Sequence, residues 1–337
     1  MSTPLPHGGQ LGDAMRRYPD APLPFVDLST GINPHAYPMP PLSQADCARL
    51  PEAAVIADLE AAAARAYGVA DPACVVAAAG TQPLIALLPH LRAPAAVAVV
   101  GPTYAEHAEA WRLGGHAVRE VAIPTDDADV LVVCSPNNPD GRVVSIETLA
   151  DKAERLTVRG GWLVIDEAFI DLTGGESAAR LISSPGVVVL RSFGKTYGLA
   201  GLRLGFALVH ADLARRLRAS LGPWPVSGPA ITAGRAALRD DAWRAATRAR
   251  VEADAEMLRA ALTDAGLNIR GGALLFHLVD TPDAASLHHH LCTHGILTRR
   301  FPAQPRWLRL GLPPDPSALA RLRHALAVRP RNTWRAD

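Results

Sequence analysis

Six short, almost wholly apolar runs alternate with stretches of helical spacing over the first two-thirds of the chain, at 74–79, 95–100, 130–134, 162–166, 187–191 and 202–209. Each run is too short for a buried helix. Each is also too continuous for a strand with one wet face. Strands buried on both faces read this way. Helical patterns fall near 54–67, 81–91, 104–114 and 145–158. The alternation predicts an α/β fold, a mostly parallel central sheet with helices on both faces. Pro223, Pro225, Gly228 and Pro229 then break the pattern. A long helical stretch over 230–266 follows. Strands at 274–279 and 306–310 and helices at 283–294 and 315–328 read as a smaller α+β domain at the C-terminal end. Residues 1–44, rich in Pro and Gly, read as an extended arm. The expected division is therefore an arm over 1–44, a large domain over 45–225 and a small one over 226–337.

Open parallel sheets take their ligands at the carboxyl ends of the strands, so the residues there matter most. Ser192-Phe193-Gly194-Lys195 follows one run directly. Another run ends in Asp166, a carboxylate that would be poorly solvated unless something cationic met it. Asn138, in Ser135–Gly141, follows a third run with an amide donor. Gly80-Thr81-Gln82 follows a fourth and opens a helix, a ready place for an anion. Gly101-Pro102-Thr103-Tyr104 follows a fifth. Arg203 comes eight residues after Lys195. Of 34 basic residues only Lys152 and Lys195 are lysines, so chemistry that needs a primary amine has two candidates. Lys152 lies in the charged helical stretch Asp151–Arg155 and reads as a solvated face. Taken singly, each feature has a bland reading: a helix cap, a tight turn, a core aromatic. Together at successive strand ends they supply what pyridoxal 5'-phosphate needs. Lys195 would give the amine for its aldehyde. Asp166 would keep its ring nitrogen protonated, and Asn138 would hold the ring oxygen. Tyr104 would stack on the ring. Gly80, Thr81, Gln82, Ser192 and Arg203 would hold the phosphate.

SPNNPDG (135–141), LVIDEAF (163–169) and SFGKTYGLAGLRLG (192–205) resemble, in order and spacing, the fold-type-I pyridoxal-phosphate enzymes, near the histidinol-phosphate aminotransferase branch. The arm sequences HGG (7–9) and DLSTGINP (27–34), with DEAFID (166–171) and PWPV (223–226), are most similar to the L-threonine-O-3-phosphate decarboxylase family. The resemblance implies an aspartate-aminotransferase-like fold and a catalytic set of Lys195, Asp166 and Tyr104. It implies decarboxylation of L-threonine O-3-phosphate to (R)-1-amino-2-propanol O-2-phosphate for cobalamin biosynthesis, or alternatively an aminotransferase reaction such as that on histidinol phosphate. It also implies a homodimer. Arg309, in WLRLG, matches the arginine that clamps a substrate carboxylate, and His7 and Asn33 fall where the arm closes over substrate. Arg142 and His7 could anchor a substrate phosphate, turning the carboxylate rather than Cα–H to the breaking position. Two positions depart from the family pattern. Phe169 stands where relatives carry a ring-oxygen-binding Tyr, and Arg49-Leu50-Pro51 stands where they carry an RYP-like motif.

Other classes fit less well. Gly194-Lys195-Thr196 mimics a P-loop, but position 189, where its first glycine belongs, is Val189. Gly198, Gly201 and Gly205 have the wrong spacing for a dinucleotide fingerprint. His288-His289-His290 is not expected to bind metal, because successive helical residues point about 100° apart. No metal is expected. The formal charge of +1 recommends neither nucleic acid nor a membrane surface as partner. The first ten residues do not read as a secretory signal. Four scattered cysteines suit a reducing cytoplasm.

Overall fold

The computed structural model describes residues 7–329. The chain divides into two compact units. Within the described residues one comprises 36–138 and 142–245, the other 7–35, 139–141 and 246–329.

The larger unit is built on seven strands: β1 (Val75–Ala78), β2 (Ala96–Val100), β3 (Ala117–Val121), β4 (Val130–Cys134), β5 (Trp162–Asp166), β6 (Val187–Ser192) and β7 (Gly205–Val209). Their spatial order is β1-β7-β6-β5-β4-β2-β3. The neighbours from β6 through β3 pair in parallel, and β7 runs antiparallel between β1 and β6. Side chains alternate between two apolar clusters, one on each face. Ala77, Leu131, Leu163, Ile165 and Val189 go to one, and Val76, Val130, Val132, Val164 and Val188 to the other. This period of two, with both faces covered, is why the strands are apolar throughout.

The expected parallel architecture is observed, with three differences in detail. Strand β3 was not anticipated. Its sequence, AVREV, is half polar because it lies at the sheet edge, where one flank meets water. The helix expected over 230–266 is two, Gly228–Leu238 and Asp241–Asp264. The Asp240 carboxylate accepts from the Trp243 amide at 2.8 Å and starts the second helix separately. The division expected at 225/226 also differs from the observed one at 245/246. Helix Gly228–Leu238 packs on the helix Ala53–Tyr67, with Gly234 against Leu59, and so belongs to the larger unit.

The second unit holds a four-stranded antiparallel sheet of β8 (Asn268–Ala273), β9 (Phe276–Asp280), β10 (Arg299–Arg300) and β11 (Trp307–Gly311), in the order β10-β11-β9-β8. Residues 7–35 are part of this unit rather than a separate arm. They include a helix, Leu11–Arg17, and a short strand, Val26–Asp27, parallel to Ile296–Leu297.

Candidate active site

In the larger unit the strand register brings the chemistry to one sheet edge. Cys134, Asp166 and Leu190 are lateral partners at the carboxyl ends of β4, β5 and β6. Gly205, which opens the antiparallel β7, pairs with Ala78 on one side and Ser192 on the other. The Arg203 turn before it thus emerges between the Gly80 turn and Ser192. One cavity at this edge is lined by Gly80, Thr81, Gln82, Tyr104, Asn138, Asp166, Ser192, Lys195 and Arg203. These are the residues expected at the cofactor. Cys134, Ala168 and Phe169 line it too.

Asp166 is buried and fixed from two sides. Its Oδ1 accepts from the Ala168 amide at 3.0 Å, and its Oδ2 lies 2.9 Å from His107 Nε2. His107 comes from the helix Glu106–Leu113 and is 1% exposed. Burial alone would lower its pKa. Cys134 and Asp166 outweigh burial and push it up to about 10. The raised imidazole therefore holds the Asp166 side chain in one orientation inside the protein. His107 has almost no mark in the sequence. Its only signal was a histidine three residues after Tyr104 in PTYAEHAEAW.

Tyr104 is half-buried. Its hydroxyl donates to Gln82 Oε1 at 3.1 Å, and Gln82 Nε2 donates to Glu106 at 2.9 Å. Of the paired asparagines, Asn137 is wholly buried and braces two loops. It accepts from Thr103 Oγ1 at 2.6 Å and donates to the Pro102 carbonyl at 3.0 Å. Asn138 is the one that faces the cavity. Lys195 Nζ lies 5.5 Å over the Phe169 ring. Beneath it a buried network runs from Arg191 to Glu167 (3.1 Å) and to Asp171, which also accepts from Thr196 Oγ1 at 3.1 Å. Lys152, the other amine, pairs with Asp126 at 2.7 Å.

The turn at Gly80 is the tightest part of the edge. Gly80 has φ 86° and ψ 176°, a conformation essentially confined to glycine. A Cβ there would meet Arg203 Nη2 at 2.7 Å, and one on Gly205 would meet the Thr81 amide nitrogen at 2.7 Å. Backbone amides and a guanidinium thus crowd into a space that a side chain would fill.

Arg142, expected at the substrate, is not among the residues lining this cavity. Its guanidinium donates to the Gly101 carbonyl at 3.3 Å. The other three expected substrate residues lie in the second unit. Arg309, on β11, is 6% exposed and donates to the Ser29 carbonyl at 2.8 Å. Burial first, and Arg299 second, pull its pKa down to about 9, with Asp27 acting the other way. Arg299, on β10, is its register partner and was not singled out from sequence. Asn33 is buried, and its Oδ1 accepts from the His35 amide at 2.9 Å. His7 is exposed and shares a surface cavity with Ser29, Arg299 and Arg300. The run His288–His290 does not converge. His288 Nδ1 lies 2.9 Å from Thr298 Oγ1, His289 Nδ1 lies 3.1 Å from the Tyr18 hydroxyl, and His290 Nε2 lies 2.8 Å from the Ala325 carbonyl.

The family pattern of Aminotransferase class I and II matches residues 28–326. A threonine-phosphate decarboxylase of Pseudomonas aeruginosa is 46% identical over 328 residues, 96% of this chain and 97% of that one. One from a Sinorhizobium species is 43% identical over 337 residues, 97% of this chain and 99% of that one. Among solved structures, a histidinol-phosphate aminotransferase of Sinorhizobium meliloti in complex with pyridoxal-5'-phosphate superposes with a TM-score of 0.79. It is 22% identical, over 96% of this chain and 94% of that one.

Proposed function

The chain belongs to the family Aminotransferase class I and II, and from that premise we propose that it is a pyridoxal-phosphate enzyme that decarboxylates L-threonine O-3-phosphate. The product is (R)-1-amino-2-propanol O-2-phosphate, for cobalamin assembly. The observation that carries this reading is the near-full-length identity to two threonine-phosphate decarboxylases.

The donor set at the sheet edge fits the coenzyme. A primary amine, a fixed buried carboxylate, an amide and a crowd of backbone N–H groups beside a guanidinium are its four requirements. Bound there, the coenzyme supplies an electron sink into which a bond at the substrate's Cα can break. Lys195 supplies the amine that attaches it. Asp166, oriented by His107 and the Ala168 amide, holds the proton at its ring nitrogen. Asn138 donates to the ring oxygen, a job it carries without the Tyr that Phe169 replaces. Tyr104, tethered through Gln82 to Glu106, stacks on the ring. Thr81, Gln82, Ser192 and Arg203 hold the phosphate.

On the second unit, Arg309 and Arg299 form a crowded cationic pair, and an anion bound there would offset both the desolvation and the repulsion. That supports a substrate carrying a carboxylate and a phosphate, and we assign His7 and Asn33 to the same substrate. Arg142 carries less of this reading than the sequence suggested. The protein acts as a cytoplasmic homodimer, a reading supported by four free cysteines and by the exposed Leu50 and Trp224.

The test is product analysis on L-threonine O-3-phosphate beside histidinol phosphate. Release of CO2 with aminopropanol phosphate is expected. Amino transfer to 2-oxoglutarate without CO2 would put the aminotransferase reading in its place.

A further inference from the structure

Three residues that no sequence spacing links meet beneath the cavity. Cys134 and Asp166 are in-register partners on adjacent parallel strands, so their side chains leave the sheet on the same face. His107 arrives from the helix Glu106–Leu113. The cysteine sulfur, an imidazole nitrogen and a carboxylate oxygen all lie within 4.8 Å of one another. The His107–Asp166 separation is 2.9 Å. Thiolate, imidazole and carboxylate are zinc's ordinary protein ligands. Bonds of about 2.0–2.3 Å in a tetrahedron put such atoms roughly 3.3–3.7 Å apart. Shifts of well under an ångström per side chain would reach that spacing. All three residues are buried, so the three side chains are already held close together. Cys134 and Asp166 line the cavity, which gives an ion its path in and leaves its remaining position open toward the same space.

We propose that the coenzyme-free chain binds a zinc-class divalent ion at His107, Cys134 and Asp166, and that this ion and the coenzyme exclude each other. The metal site stands on the three residues alone. The exclusion rests on the coenzyme reading above, because a divalent ion on Asp166 would put positive charge beside the protonated ring nitrogen that this carboxylate is there to hold. Binding forms bonds from the ion to Sγ, Nε2 and one carboxylate oxygen. Protons held on the ligating sulfur and nitrogen leave to solvent as the bonds form.

The test titrates the full chain, stripped of coenzyme, with Co2+. Expected are the intense visible bands of tetrahedral cobalt, a thiolate-to-cobalt charge-transfer band at one equivalent, and bleaching by Zn2+. Cys134→Ser should abolish the charge-transfer band and weaken binding at least tenfold, roughly the loss of one good ligand interaction. Cys292→Ser serves as the control. Cys292 Sγ lies 3.6 Å from His288 Nε2, so a stray thiolate–imidazole site there would lose its band instead. Added pyridoxal phosphate should release the cobalt to a chelating dye. A charge-transfer band that survives Cys134→Ser, or no tetrahedral spectrum from protein folded by circular dichroism, overturns the site. Cobalt that stays bound while coenzyme also binds overturns the exclusion. Failure of the metal-free chain to bind coenzyme would instead strike the coenzyme reading and leave the cobalt result standing.

Discussion

Replacing Gly80 by alanine separates two quantities that the cradle combines. The backbone there, at φ 86° and ψ 176°, is one that residues with a Cβ adopt at a cost of about 1–3 kcal/mol. The new methyl would also sit 2.7 Å from Arg203 Nη2 and 3.3 Å from its Cζ. Arg203 is an exposed side chain and can swing away, so the packing penalty is small. Its position at the cradle, however, is lost. A charge-assisted hydrogen bond contributes about 1.5–3 kcal/mol, so coenzyme affinity should fall roughly 10- to 150-fold. Urea unfolding of the coenzyme-free protein reads the first effect, and coenzyme titration by absorbance reads the second. Gly160→Ala is the control. Gly160 has φ 66° after the helix Ile146–Val158, and nothing lies within 4 Å of its would-be Cβ. That variant should lose about 1–2 kcal/mol of stability with coenzyme affinity unchanged. A folded Gly80→Ala protein that bound coenzyme as tightly as the parent would refute the cradle argument.

Two further outcomes are expected. Lys195→Ala protein, reduced with borohydride in the presence of coenzyme, should carry no covalent adduct by mass spectrometry. An adduct on Lys152, which pairs with Asp126, would assign the attachment to the wrong amine. The second outcome concerns pH. Burial first, then Arg300, Arg17 and His289, pull the His288 pKa down to about 4. The folded value lies below the unfolded one, so the unfolded chain takes the proton first. Stability should therefore fall as pH drops from about 6.5 to about 4, by roughly 2 kcal/mol once the ring's partial exposure is allowed for. His288→Gln should flatten that part of the denaturation profile, and an unchanged slope would assign it to other groups.

The larger unit was readable from sequence because its strands are buried on both faces and so appear as unbroken apolar runs. Lys195 stood out because only one other lysine exists to compete with it. Features that depend on a partner distant in the chain were not readable. Val26–Asp27 looks like an arm until Ile296–Leu297 pairs with it. The edge strand Ala117–Val121 has no apolar signature because one side of it needs none. His107 is a single residue in an Ala- and Glu-rich helix, and its meaning comes from Asp166, which lies 59 positions away. Arg299 was hidden by the abundance of arginine. In a chain whose basic residues are nearly all Arg, only the pairing of β10 with β11 distinguishes it.

That pairing bears on the choice of reaction. Everything at the sheet edge of the larger unit suits any reaction at Cα, so the selection falls to groups that orient the substrate. Arg299 and Arg309 are register partners on adjacent antiparallel strands, which puts their side chains on one face of the sheet. The carboxylate and the phosphoryl oxygen of threonine phosphate hang on neighbouring carbons, so one substrate can span two adjacent guanidinium groups. A substrate held at two points cannot rotate about its Cα, whereas one held at a single point can. Arg299→Met should therefore lower kcat/KM for threonine phosphate by the value of one charge-assisted contact, about 1.5–3 kcal/mol, or roughly 10- to 150-fold. For unphosphorylated L-threonine, which offers Arg299 nothing to hold, the same variant should show little loss. The two-substrate, two-enzyme comparison cancels any general damage, because damage to the fold or the coenzyme site lowers both rates alike. Equal losses for both substrates would mean that Arg299 supports the unit rather than the phosphate. The two-point account of decarboxylation would then lose its second point.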